Sequence, residues 1–149
     1  MQSYTQILYQ VVFATRLRQP TLPAAVRPKL FAYMAGIMKN KRCRAHSIGG
    51  IEDHVHLVFY LHPSVALADL VRDIKVASNL FLKSLPDEAP DFVGWQNGYS
   101  AFTYQQDCKP RLVNYVERQV EHHKLRTAKK ELRMLLAVHQ VEYDERYFG

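Results

Sequence analysis

Residues 49–61 have the sequence GGIEDHVHLVFYL, which predicts a tight turn followed by the second strand of a β-hairpin. The turn begins at Gly49-Gly50, and the strand is predicted from about His54 to Leu61. Side chains alternate between the two faces of a strand, so the apolar odd positions predict a core-facing side. These positions are Val55, Leu57, Phe59 and Leu61. The polar even positions, which begin with His54 and His56, are therefore predicted on the opposite face.

Periodicity elsewhere in the chain predicts the remaining elements. Alternation of apolar residues indicates strands, and recurrence every three or four residues indicates helices. The predicted elements are a strand in Tyr4–Ala14, a helix over Ala24–Lys39, a strand over Cys43–Ile48, a helix with the stripe Leu67, Leu70, Ile74, Ala77 and Phe81, one or two strands in Phe92–Gln106, and helices from Pro110 to about His123 and over Ala128–His139.

The order of these elements is β-α-β-β-α-β followed by helices. It predicts an α+β fold of the ferredoxin-like, split βαβ type, in which helices pack on one face of a mostly antiparallel sheet. The second face of the sheet is expected to be open to a ligand. We expect residues 1–149 to form a single domain, because a chain of 149 residues has room for one core.

Composition and charge narrow the function classes. Lys and Arg number 20 against 14 Asp and Glu, which gives a formal net charge of +6 and suits a polyanionic partner. Cys43 and Cys108 are far apart and match no metal or redox spacing, which is typical of a reducing cytoplasm. No continuous apolar run approaches the length of a signal peptide core or membrane span, so we expect a cytoplasmic protein without a membrane partner.

His54 and His56 are candidates for a metal site. Both imidazoles are predicted to leave the same face of one strand, which would provide two nitrogen ligands on a rigid element. A His-x-His pair is short, and two surface or hydrogen-bonded histidines would show the same pattern. Asp53 is predicted to orient the hairpin or a histidine rather than to bind the metal.

The helix predicted after Pro110 carries a second set of candidates. At about 100° per residue, Val113, Val116 and Val120 share one stripe, which is predicted to be the packed side. Tyr115, Gln119 and His122 fall on nearly the opposite side. A tyrosine that only covers a neighbouring loop is the simplest alternative for Tyr115 considered alone.

Taken together, GGIEDHVHLVFYL and the later NYVERQVEHHK resemble the IS200/IS605 family of single-strand DNA transposases and the related REP-associated tyrosine transposases. The family's His-hydrophobe-His motif matches His54-Val55-His56, and its catalytic tyrosine with a glutamine four residues later matches Tyr115 and Gln119. The resemblance covers nearly the whole chain, including WQNGYSAFTY and the closing DERYF.

The resemblance implies a function and a mechanism. A divalent metal, Mg²⁺ or Mn²⁺, would be held by His54, His56 and Gln119. Tyr115 would attack a phosphodiester of hairpin-bearing single-stranded DNA, leaving a 5′-phosphotyrosine and a free 3′-OH, and a second 3′-OH would later rejoin the strands. Such a bacterial enzyme would associate with the nucleoid, and its family is commonly homodimeric, with the tyrosine helix serving the partner's histidines.

Contacts to DNA are less determined by the sequence. The candidates for binding the DNA backbone are Arg72, Lys75 and Lys83, although each would also suit a solvated helix face. His122 could contact the scissile phosphate or lie on the surface. The aromatic residues Trp95, Tyr99 and Phe102 could stack on unpaired bases or pack in the core.

Three other functions use many of the same features. A domesticated hairpin-binding protein would keep the fold and basic surface without transposing DNA, and scattered hairpins in the genome would favour it over palindromes flanking the gene. A hydrolytic metal-dependent nuclease would not need Tyr115. A structural ferredoxin-like dimer would carry the histidines incidentally.

Overall fold

The computed structural model describes residues 2–122 and 127–144, without the side chains at positions 122 and 128. Its strands are β1 (Leu8–Ala14), β2 (Arg44–Gly50), β3 (His54–Tyr60) and β4 (Ser100–Tyr104). Its α-helices are α1 (Arg27–Asn40), α2 (Leu67–Lys83), α3 (Lys109–Glu117), α4 (Gln119–His122) and α5 (Ala128–Val138), and short 3₁₀ turns occur at Arg16–Arg18 and Gln106–Cys108. No helix in the described part of the chain is long and apolar enough to cross a membrane.

The four strands form one antiparallel sheet in the order β2-β3-β1-β4. This order confirms the predicted split βαβ arrangement, because α1 connects β1 to β2 and α2 connects β3 to β4. β3 lies inside the sheet and pairs His56 with Val12 and His54 with Ala14. The two histidines are therefore on a strand that is hydrogen-bonded on both sides.

The main core lies between one face of the sheet and the helices α1 and α2. The odd positions of β3 face it as predicted, and Val55, Leu57 and Phe59 are buried there. Other buried members of this core include Val11, Phe13, Leu30, Met34, Met38, Leu70 and Ile74. Pro28 lies in the first turn of α1, where its missing N–H is tolerated, and the helix begins at Arg27, three residues after the predicted start.

The second face of the sheet is more covered than expected. α3 packs on β2 and β3, where Leu112 and Val116 form a cluster with Leu8 and Val58. α5 reaches the same face, and its Leu136 packs against Phe102 of β4. The expectation of a wholly open ligand face is therefore wrong, because apolar even positions on β1, β3 and β4 recruit the C-terminal helices.

The tyrosine helix also departs from the prediction of one continuous helix with a valine stripe. The helical conformation is interrupted at Arg118, which separates α3 from α4. Val116 is fully buried and Val113 is partly buried, but Val120 is 55% exposed. The buried residues are instead Leu112, Val116 and Gln119, which at about 100° per residue lie within about 60° of one another, so the packed stripe is centred away from Val120.

Candidate active site

Two buried imidazoles define the site. His54 and His56 leave the face of β3 opposite the main core, as predicted, and only 2% and 0% of their surfaces are exposed. Their rings lie 5.1 Å apart between centroids. Because β3 is an inner strand, its ladder hydrogen bonds limit the movement of both side chains.

Each imidazole is held by a hydrogen bond at Nδ1. His54 Nδ1 lies 2.8 Å from Asp53 Oδ1, which confirms the prediction that Asp53 orients a histidine. His56 Nδ1 lies 2.7 Å from Gln10 Oε1, and Gln10 Nε2 donates to the Tyr104 hydroxyl. Histidine ligands of metals are typically held in this way, with one ring nitrogen fixed and the other presented to the ion.

The two Nε2 atoms converge on a third residue, which is not among the predicted site residues. Glu131 Oε1 lies 2.8 Å from His56 Nε2 and 3.4 Å from His54 Nε2. The two imidazoles and this carboxylate each offer a ligand atom, and these atoms all lie within 4.8 Å of one another. A mixed set of imidazole nitrogens and a carboxylate oxygen suits a divalent ion such as Mn²⁺.

One signal in the sequence could have identified Glu131. It lies four residues before Leu135 in α5, so its carboxylate is on the same side as the apolar residues that face the sheet. A charged residue at such a position is seldom buried unless it is paired. Thr127 caps the helix by accepting a hydrogen bond from the Lys130 amide, which places Glu131 in the first turn.

Tyr115 reaches the same cluster from α3. Its hydroxyl donates to Glu131 Oε2, and its ring lies edge-on to His56 with centroids 6.1 Å apart. Gln119 is buried, and its Nε2 donates to the backbone carbonyl of Tyr115 at 3.3 Å. The structure thus brings Tyr115 together with both histidines, while metal binding by Gln119 stays a prediction.

The charge balance of the cluster favours a protonated His54. Burial alone would lower the pKa of this imidazole, but hydrogen bonds to Asp53 and Glu131 outweigh it and raise the pKa to about 9. A cation bound at Nε2 would displace the proton there and would compensate the charge of Glu131, while Nδ1 would keep its hydrogen bond to Asp53.

Two cavities give access to the cluster. One of about 250 Å³ adjoins His54 and Glu131 and is also lined by Arg18, Tyr99 and Tyr143. The other, about 340 Å³, adjoins Tyr115 and Glu131 and is lined by Arg111. Glu131 therefore lies between the two cavities. Each cavity is also lined by an arginine, a residue type that binds phosphate.

The predicted DNA-contact residues differ in their surroundings. Arg72 is exposed and pairs with Asp69 and Asp73, and Lys83 is exposed at the end of α2. Lys75 Nζ instead donates to the carbonyls of Gln96 and Gly98.

Burial lowers the pKa of Lys75, and its ammonium lies over the Phe13 ring. Its contacts are therefore those of a residue that holds the loop before β4. The side chain of His122 lies outside the described part of the structure.

The three aromatic candidates for base stacking differ in how far they are buried. Trp95 packs against Phe13 and Phe92 and donates its Nε1 hydrogen to Ser78. Phe102 is buried, whereas Tyr99 is 41% exposed at the rim of the cavity beside His54. Phe102 and, in part, Trp95 therefore pack in the protein interior, the alternative to base stacking, and stacking by Tyr99 stays a prediction.

Comparisons with known proteins support the resemblance. The model of the family described as "Transposase IS200 like" matches residues 3–119. No curated protein sequence matches the chain.

Among solved structures, a Deinococcus radiodurans R1 protein classed as a transposase has 22% identity and a TM-score of 0.62, covering 80% of this chain and 95% of its own. A REP-associated tyrosine transposase bound to a REP hairpin has 14% identity and a TM-score of 0.54, covering 78% of this chain and 70% of its own.

The likeness to these structures concerns the fold, while the family match extends through the histidine strand and the tyrosine helix. On this evidence the chain belongs to the IS200-like transposases, a family of enzymes that act on DNA.

Proposed function

We propose that this transposase cuts and rejoins single-stranded DNA through a covalent bond to Tyr115, with the help of a divalent cation. The observation that carries the proposal is that two oriented imidazoles and the Tyr115 hydroxyl converge on one buried carboxylate, that of Glu131. A hydrolytic nuclease would need the metal ligands alone, so the placement of Tyr115 beside them favours the covalent route.

We place the cation on His54 and His56, whose Nε2 atoms are directed inward, with the Gln119 oxygen as the predicted further ligand. Bound there, Mg²⁺ or Mn²⁺ would polarise the phosphoryl oxygens of the substrate and neutralise charge that develops on them. With Nδ1 hydrogens donated to Asp53 and Gln10, each imidazole would present Nε2 to the cation once the cation displaces the proton held there.

In the proposed reaction, the Tyr115 oxygen attacks the scissile phosphorus. An O–P bond forms, the P–O3′ bond breaks, and the departing 3′ oxygen takes up a proton. The hydroxyl proton of Tyr115 goes to its hydrogen-bond acceptor or to solvent. Because one phosphoester replaces another, a later 3′-OH can reverse the step and join strands without an added energy source.

The substrate that fits this site is single-stranded DNA next to a hairpin. A net charge of +6 and arginines at both cavities suit a phosphate backbone. One structural neighbour is bound to a REP hairpin, which supports hairpin DNA as the ligand class. We accordingly place the protein with the bacterial nucleoid in the cytoplasm.

The predicted homodimer, with the tyrosine helix acting in trans, remains a proposal. Within one chain Tyr115 already lies beside His56, so the geometry also supports a site that works in cis. Mixing a Tyr115→Phe subunit with a His56→Ala subunit separates the two cases. Restored cleavage would establish a trans site, and the absence of rescue would establish a cis site.

The proposal is tested by incubating the protein with Mn²⁺ and labelled single-stranded DNA that covers the hairpins flanking its gene. On a denaturing gel we expect label that migrates with the protein and is absent from Tyr115→Phe. Tyr33→Phe is the matched control, because Tyr33 lies on α1 and stacks on Phe81, beyond the opposite face of the sheet.

The outcomes separate the alternatives. Cleavage without an adduct, unchanged in Tyr115→Phe, would indicate a hydrolytic nuclease. Binding without cleavage at any metal concentration would indicate a domesticated hairpin-binding protein.

A further inference from the structure

The residue that joins the two halves of the site comes from outside the region that defines the family. The family match ends at residue 119, and α5 begins at Ala128. Glu131 of this helix nevertheless contacts both the imidazole of His56 and the hydroxyl of Tyr115. α5 therefore contributes a side chain that neither the His-x-His motif nor the tyrosine helix contains.

We propose that Glu131 is a protein ligand of the divalent cation and that its second carboxylate oxygen positions the Tyr115 hydroxyl. This inference rests on the proposed function of the site, to which it adds the acidic ligand. One oxygen, Oε1, faces the two Nε2 atoms at 2.8 and 3.4 Å, and the other, Oε2, accepts the hydrogen bond of Tyr115.

Burial shows that this contact is more than a surface ion pair. Glu131 is only 2% exposed, and removing a carboxylate from water is strongly unfavourable unless the charge is compensated. The described partners that compensate it are His54, His56 and Tyr115. All three belong to the proposed site. The negative charge of Glu131 therefore lies where it would stabilise a bound divalent cation.

The geometry around the histidines points the same way. In both rings Nδ1 is hydrogen-bonded to a neighbouring oxygen, that of Asp53 or of Gln10, and Nε2 faces Glu131 Oε1. Oxygen-bound Nδ1 atoms and converging Nε2 atoms are the usual arrangement around a bound metal. A carboxylate in the third position adds negative charge, which a hard cation such as Mn²⁺ favours.

The shared carboxylate would also couple the nucleophile to the cation. While α5 is docked, Tyr115 is held through Oε2 at a fixed place relative to the ligand atoms. Replacing Glu131 by glutamine keeps the size and an oxygen but removes the charge. We therefore expect both weaker metal binding and a less well-positioned tyrosine.

Calorimetric titration of the full chain with Mn²⁺, without DNA, tests the ligand role. We expect Glu131→Gln to raise the dissociation constant at least about tenfold, with Glu131→Asp in between because it keeps a carboxylate. Glu121→Gln is the matched control, since Glu121 is an exposed acid of α4, and it should bind like the unsubstituted chain. Equal Mn²⁺ affinity for Glu131→Gln and the unsubstituted chain would overturn the proposal.

A measurement on the unsubstituted chain avoids dependence on the folding of the variants. With ¹³C at the glutamate carboxyls, Mg²⁺, which is diamagnetic, should shift the Glu131 resonance more than those of exposed glutamates, because a carboxylate that binds the ion changes its electronic environment. A Glu131 resonance that saturating Mg²⁺ leaves unshifted would contradict the ligand role.

The positioning role needs a separate kinetic test. At saturating Mn²⁺, Glu131→Gln should lower the maximal cleavage rate at least about tenfold while the KM for DNA stays unchanged. An unchanged rate at saturating Mn²⁺ would refute the positioning of Tyr115.

These tests also separate this inference from the proposed function. Mn²⁺ binding that depends on Glu131, in a protein that forms no adduct with DNA, would support the ligand role and refute the covalent mechanism. A Tyr115 adduct with Mn²⁺ affinity independent of Glu131 would do the reverse.

Discussion

The close approach of α3 to β2 allows a sharp test of how the tyrosine is positioned. A Cβ atom at Gly49 would lie 2.1 Å from the carbonyl oxygen of Val116 and 3.0 Å from its Cγ1. Because non-bonded contacts of this kind stay above about 3 Å, Gly49→Ala must push α3 away by about 1 Å. Tyr115 adjoins Val116 and would move with it.

We expect Gly49→Ala to reduce stability by about 1–3 kcal/mol, the usual cost of overpacking. A displacement of about 1 Å at a reacting group can slow a reaction about 100-fold, so cleavage should suffer more than folding. Urea unfolding gives the first quantity, and the single-turnover rate of adduct formation gives the second.

Gly36→Ala is the matched control. Gly36 lies inside α1, and nothing is within 4 Å of the position of its added Cβ. We expect this change to stabilise the protein by about 0.5–1 kcal/mol and to leave the cleavage rate unchanged. A Gly49→Ala protein that folds and cleaves DNA as fast as Gly36→Ala would refute the argument that this contact places Tyr115.

Further predictions concern packing, pH and the loop before β4. Val116→Ala should cost about 1–3 kcal/mol in urea unfolding because Val116 is fully buried, and Val120→Ala should stay within about 0.5 kcal/mol because Val120 is 55% exposed. Burial, opposed only in part by the hydrogen bond of Gln10, raises the pKa of Tyr104 to about 12. Since the ordinary pKa is about 10, the unfolded chain loses this proton first, and stability should fall as pH rises from about 10 to 12. Tyr104→Phe should show a smaller fall in urea midpoints over that range, and an equal fall would contradict the assignment. Lys75→Met should cost about 1 kcal/mol and speed amide exchange near Gly98, whose carbonyl accepts from Lys75, and unchanged exchange would count against a clamp.

The sheet and its two covering helices were predictable because their patterns are local. Alternation in β3 placed Val55 and Leu57 in the core and His54 and His56 on the other face, as the structure has them. Boundaries moved by a few residues, as at β1, which begins at Leu8 rather than Tyr4. Pairing with the neighbouring strands decides such limits, since β1 begins where Leu8 pairs with Tyr60 and Tyr104, and these partners are distant in the sequence.

The packing on the second face of the sheet was not predicted correctly from the sequence. The prediction took the three valines as the packed stripe and so put Val120 inside, whereas the buried stripe begins at Leu112 and includes Gln119. Glu131 was missed because its partners, His56 and Tyr115, lie 75 and 16 residues away along the chain. No local pattern connects these residues, and only the docking of α5 brings them together.

The measurement that tests the central claim most directly is peptide mapping of the covalent product by mass spectrometry. The protein would be incubated with Mn²⁺ and hairpin-bearing single-stranded DNA, treated with nuclease and protease, and searched for nucleotide-modified tyrosines. We predict one modified residue, Tyr115, joined to a 5′-phosphate, and no modification when the cation is removed with EDTA. Efficient cleavage with Tyr115 unmodified, or with the DNA joined to another residue, would contradict the account.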